Sequence, residues 1–162
     1  MESTDLYCQR LLETISLALN IDLPASRDIN HSIIKKIRLL LQIIAESVPF
    51  KPNISKLSEC IEISRPSLIN YLRYLEELRI IKGLYADTKG IGILQKSENI
   101  YLHHPNLIFA QAGNNSNLGN IRESFFINQT AIISPVQYTK EVDFLMENNI
   151  FEIGGRKKHI KK

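Results

Sequence analysis

Residues 54–84, ISKLSECIEISRPSLINYLRYLEELRIIKGL, most constrain what this chain can fold into. Their pattern predicts two helices joined by a tight turn and then a strand, the order of a winged helix-turn-helix. The first helix turns Leu57, Cys60 and Ile61 inward. Ile63-Ser64 makes the turn, with Ser64 as N-cap and Pro66 in the next helix's first turn, where a missing N–H costs little. Leu68, Leu72, Leu75 and Arg79 then follow a helical period, flanked by Tyr71 and Leu78. The opposite face holds Ser67, Asn70, Arg73, Tyr74 and Glu77.

Around this motif the chain reads as α+β. Thr4 or Asp5 caps a first helix reaching about Leu19, with Cys8, Leu11, Leu12, Ile15 and Leu19 on one side. Pro24 and the polar residues after it make 20–30 a connector. A second helix covers 31–48, its stripe formed by Ile33, Ile37, Leu40, Leu41 and Ile44. Strands are predicted at 80–85 and 100–103, with the turn-rich segment between them as wing, carrying Lys89 and Lys96. A polar loop at 113–120 marks a boundary. Beyond it come a helix at 121–129, anchored by Ile121, Phe125 and Phe126, and short strands at 136–138, 141–146 and 150–153. The expected division is 1–30 helix and connector, 31–112 winged helix, and 119–162 helix and meander with a basic tail.

The net charge of +3 is mild, and the tail Arg156-Lys157-Lys158-His159-Ile160-Lys161-Lys162 holds much of it. Hydrophobic runs are too short to cross a bilayer and the N-terminus lacks a signal-peptide layout, so a cytoplasmic location with no membrane partner is expected. Cys8 and Cys60, both on apolar helix faces, read as buried free thiols. No cofactor is indicated.

Several longer stretches carry a family resemblance: DLPA (22–25), VPFKPNISKL (48–57), ISRPSLINYLRYLEEL (63–78), DTKGIGILQKSENIYL (87–102), IRESFFINQ (121–129) and EVDF with FEIGGRKK (141–144, 151–158). Together they resemble the C-terminal half of bacterial AAA-type ATPases that carry a domain of unknown function behind the motor. The resemblance implies a winged helix followed by a small domain similar to PD-(D/E)xK nucleases. It also implies that the nuclease-like part is incomplete, because family members continue beyond Glu152 with more helix and strand. The chain has no Gly-rich run ending in Gly-Lys-Ser/Thr, so ATP hydrolysis is not carried over.

Two chemistries compete with plainer readings. Arg65, Ser67, Asn70, Arg73 and Tyr74 form a candidate face for double-stranded DNA, with Lys89 and Lys96 on the flanking backbone. Arg pairs bidentately with guanine and Asn with adenine, while Ser and Tyr bond phosphates. The alternative is a module docking on the ATPase or a partner protein, and Glu76 and Glu77 oppose deep docking on phosphate. In the tail, Glu123, Asp143, Glu152 and Lys157 are the residual candidates for a weak metal-dependent nuclease. The nuclease pattern wants Lys two positions after the Glu, where this chain has Gly154, so no enzyme and no metal site is expected. Adjacent His103 and His104 point to opposite faces of a strand and do not chelate together. An unpaired sheet edge, with Phe144 and Phe151 bare, predicts self-association through the C-terminal sheet.

Overall fold

The computed structural model describes residues 3–85, 97–113, 116–139 and 142–153. It is an α+β fold. Helix α1 (Thr4–Leu17) is capped by Ser3, one residue before the expected cap, whose hydroxyl accepts the Leu6 N–H. The chain does not then leave helix as Pro24 suggests. It passes through a π turn (Ala18–Asp22) into α2 (Leu23–Ser26). Pro24 falls in the first turn of α2, where no N–H is needed, and Leu19 and Leu23, four apart, are both buried. Their burial outweighs the local break signal. Helix α3 (His31–Glu46), capped by Asn30, buries Ile34, Ile37, Leu40, Leu41, Ile44 and Ala45, while Ile33 lies only partly inside.

The helix-turn-helix is α4 (Ile54–Cys60) and α5 (Arg65–Glu77). Glu62 turns the chain with φ of 53°, and the Ile63 N–H donates back to the Ser58 carbonyl at 3.0 Å. This is a left-handed helix ending that usually takes glycine. Lys36 of α3 pins it, its Nζ donating to the Glu62 carbonyl at 2.6 Å. Leu57 and Ile61 are buried as expected, but Cys60 is exposed, because α4 turns Ser58 rather than Cys60 toward the core. Helix α5 starts at Ser64, whose Oγ accepts the Ser67 N–H, and it buries Leu68 and Leu75. It ends before Arg79, which adopts φ of 55° outside the helix instead of continuing its apolar face. The Ile80 N–H then bonds the Leu75 carbonyl at 2.9 Å, swinging Ile80 into the core.

Strand β1 (Ile81–Leu84) pairs antiparallel with β2 (Asn99–Leu102), Ile81 opposite Leu102 and Leu84 opposite Asn99. Phe50 adds a bridge to Ile100, through hydrogen bonds of 2.9 and 2.8 Å. Helix α6 (Pro105–Ala112), which the sequence reading left out, packs against α1 and α3. His104 caps it, its Nδ1 accepting the Asn106 N–H.

Helix α7 (Leu118–Thr130) and the meander β3 (Val136–Gln137), β4 (Phe144–Met146) and β5 (Asn149–Phe151) cover the other face of the β1–β2 sheet. The Tyr101 hydroxyl donates to Glu123 Oε2 of α7 at 3.1 Å, and Asn128 Nδ2 donates to the His103 carbonyl at 2.9 Å. Phe144 is fully buried, stacked on Phe126 and tilted against Tyr101, and Phe151 packs on Phe126. The expectation that Phe144 and Phe151 lie bare is therefore corrected. Phe125 is corrected in the other direction: it is 56% exposed, because α7 turns Ser124 and Ile127 onto the sheet. One apolar core runs from Ile15 through α3 and α5 to Phe144. Among the described residues no helix is long and apolar enough to cross a membrane.

Candidate nucleic-acid interface

The outer face of α5 is set by its period. With Leu68 and Leu75 fixed in the core, Arg65, Ile69, Asn70, Arg73 and Glu77 all come out exposed. Ile69, which the sequence reading assigned to neither face, is 53% exposed. On a groove-facing surface it offers the apolar contact that a thymine methyl takes. Ser67 is half-buried and its hydroxyl lies 2.8 Å from Ser64 Oγ, so it serves the cap.

Tyr74 is half-buried for a reason not visible in the motif. Arg27, from the segment after α2, lays its guanidinium over the Tyr74 ring at 5.0 Å, and Arg73 approaches the same ring at 5.7 Å. Glu77 joins the two cations, with Arg27 Nη2 at 3.0 Å from Oε2 and Arg73 Nε at 3.7 Å from Oε1. The group extends the exposed face of α5 by one more guanidinium. Arg27 lies 50 residues before Glu77, and no spacing rule connects them.

Glu76 does not face outward. Its Oε1 accepts the Gly83 N–H and its Oε2 the Tyr85 hydroxyl, both at 3.0 Å, which ties the end of α5 to β1. Of the two acids expected to repel phosphate, one is spent inside the fold and the other is matched by two arginines. A Cβ on Gly83 would meet Ser97 Cβ at 3.1 Å and Glu76 Oε1 at 3.3 Å, so a side chain there would press on this tie.

Burial first, and then the Glu76 carboxylate, push Tyr85 up to about 12 from an ordinary value of 10.0. The raised value means the fold prefers the protonated phenol. Its contribution is therefore complete below pH 10 and is lost as the pH climbs toward 12. Tyr85→Phe is expected to remove that stretch of alkaline destabilisation. Ultraviolet titration of tyrosinate should show one late phenol fewer in the variant, and an unchanged late phase would refute the assignment.

The acids of the tail also come together. Glu123, Asp143 and Glu152 line one pocket of about 260 Å³, beside Tyr101, Tyr138 and Lys51. Lys51 reaches it from the loop before α4, its ammonium 5.8 Å from the Tyr138 ring centre, and the sequence reading did not anticipate it. Two of the three carboxylates have structural partners. Asp143 Oδ2 accepts the Ile153 N–H at 2.7 Å, which fixes the strand end, and Glu123 holds the Tyr101 hydroxyl. Burial, then Glu123 and Asp143, push that phenol strongly up. Among the described residues no three of His, Cys, Asp or Glu are placed to hold a metal ion together. The arrangement does not fit the cation that the nuclease resemblance implies, even though the buried Asn99 Oδ1 lies unpartnered on the same wall.

Lys89, Lys96 and Lys157 lie outside the described residues. No family model, curated protein or solved structure matches this chain.

Proposed function

We propose that this chain is a non-enzymatic module that binds double-stranded DNA, with α5 as the helix that enters the major groove. The observation that carries the reading is the outer face of α5, where Arg65, Asn70 and Arg73 are exposed on a helix held rigidly from behind. Arg27 adds a guanidinium at the same edge. Together they set three guanidiniums on this surface, where the carboxylate of Glu77 pairs with Arg27 and Arg73. A place beside an AAA-type motor, in which duplex sensing would regulate the ATPase, follows from the motif resemblance.

Titrating a labelled duplex at two salt concentrations tests the reading. If three guanidiniums each release one counterion, affinity should fall on the order of 40-fold for a fourfold rise in salt. Binding that is absent at low salt, or insensitive to salt, would move the function to the rival reading, a surface that docks on a partner protein. Exposed Ile69 favours that rival, because an apolar side chain at the centre of the face suits a protein groove as well as a thymine methyl.

A further inference from the structure

A second basic site lies away from the outer face of α5. Where α5 ends, β1 begins and α7 crosses the sheet, a pocket of about 310 Å³ is lined by Arg79, Lys82 and His103. Ile127 of α7 and Ala131, just past its end, form its apolar wall, and Asn128 closes the side. The Asn128 amide is already used, donating to the His103 carbonyl and accepting from Gln129 Nε2. No carboxylate of a described residue lines the pocket. Glu76 is near enough to influence His103, but both its oxygens are held by Gly83 and Tyr85.

Arg79 and Lys82 make no ion pair or hydrogen bond through their side chains among the described residues. Two cations and an imidazole thus share one cavity with no carboxylate of a described residue on its wall. The imidazole responds to its setting: burial, then Lys82, Arg79 and His104, hold His103 below its ordinary value. Arg79 occupies the left-handed position that ends α5, with φ of 55°, as Glu62 does after α4, and glycine is the unstrained choice there.

We propose that this pocket binds a phosphate group, either the phosphomonoester of a small molecule or a backbone phosphate of nucleic acid. The Arg79 guanidinium supplies a two-pronged contact, Lys82 a point charge and His103 a third donor. The apolar wall of Ile127 and Ala131 accommodates the uncharged body that a phosphomonoester carries. This site stands independently of the DNA reading of α5, since it uses none of the same side chains.

The test uses the full chain and three probes: orthophosphate, adenosine monophosphate and a labelled duplex, each at matched ionic strength with chloride as the balancing salt. Arg79→Gly and Lys82→Gln are each expected to weaken binding of at least one probe by about tenfold, the effect of losing one charge-assisted contact. Arg79→Gly also separates binding from folding. Glycine relieves the left-handed backbone, so its Tm should equal or exceed that of the parent while the phosphate response drops. A loss confined to the duplex assigns the site to nucleic acid, and a loss confined to the two small anions assigns it to a free phosphomonoester. The proposal is overturned if the parent chain binds none of the three, or if both variants bind all three as the parent does.

Discussion

Arg73→Ala is expected to weaken duplex binding by one to two powers of ten, with Arg65→Ala close behind. A bidentate arginine–guanine contact discriminates by about 1–3 kcal/mol, which is the range those factors span. Arg73 is the more consequential because it also touches Tyr74 and Glu77. Without it Arg27 becomes the sole cationic partner of Glu77 among the described residues, and the face loses positive charge at its centre. Asn70→Ala should behave differently: it should relax discrimination at one base pair while leaving the salt dependence nearly intact, since the amide carries no charge to neutralise phosphate. Glu77→Gln should raise affinity for any duplex, because it frees two guanidiniums. Fluorescence anisotropy at two salt concentrations reads all four variants. The affected side chains are exposed, so thermal stability should move little, and the comparison is then one of binding alone. Equal affinities across the series would reassign the face to a protein partner.

The parts of this fold that were legible in the sequence are those where local signals and burial agree. Ser64, Pro66 and the spacing of Leu68 and Leu75 mark α5 unambiguously, and its strand partners follow. Misreadings arose where a tertiary contact overrides a local preference. Pro24 reads as a break, yet the burial of Leu19 and Leu23 keeps the backbone helical through it. Helix α6 is apolar on most sides because α1 and α3 enclose it, so it has no amphipathic stripe to betray it. Its markers were nonetheless present in His104, Pro105 and Gly113. Cys60 and Phe125 went wrong for a shared reason: in each helix a serine, Ser58 or Ser124, takes the buried position. A small side chain lets the helix approach its neighbour closely, and the larger apolar residue is left outside. The candidate site divides in the same way. Asn70 and the arginines of α5 are given by period alone, whereas Arg27, Lys51 and the Arg79 pocket depend on long-range packing.

Phe144→Ala should be the most damaging single substitution to stability, at about 3–5 kcal/mol for a buried aromatic side chain. Its ring is fully enclosed, 5.4 Å from the Phe126 centroid and 6.1 Å from that of Tyr101. Tyr101 belongs to β2, Phe126 to α7 and Phe144 to β4, so one ring joins the β1–β2 sheet to both later elements. The lost energy is a large share of the 5–15 kcal/mol that usually holds a domain, and Tm should drop by roughly 10 °C or more. The form of the transition matters more than its midpoint. If the segment after α6 were an appendage, the substitution would melt it separately and leave the unfolding of α3 and α5 where it was. A continuous core predicts that all elements shift together, because Leu102 and Ile100 of the same β2 strand pack on the helical side. Denaturant unfolding followed by far-ultraviolet dichroism and by amide exchange in α5 distinguishes the two outcomes. Amides of α5 that keep their parental protection while β4 loses its own would show that the tail is only attached, and that the outer face of α5 owes it no rigidity.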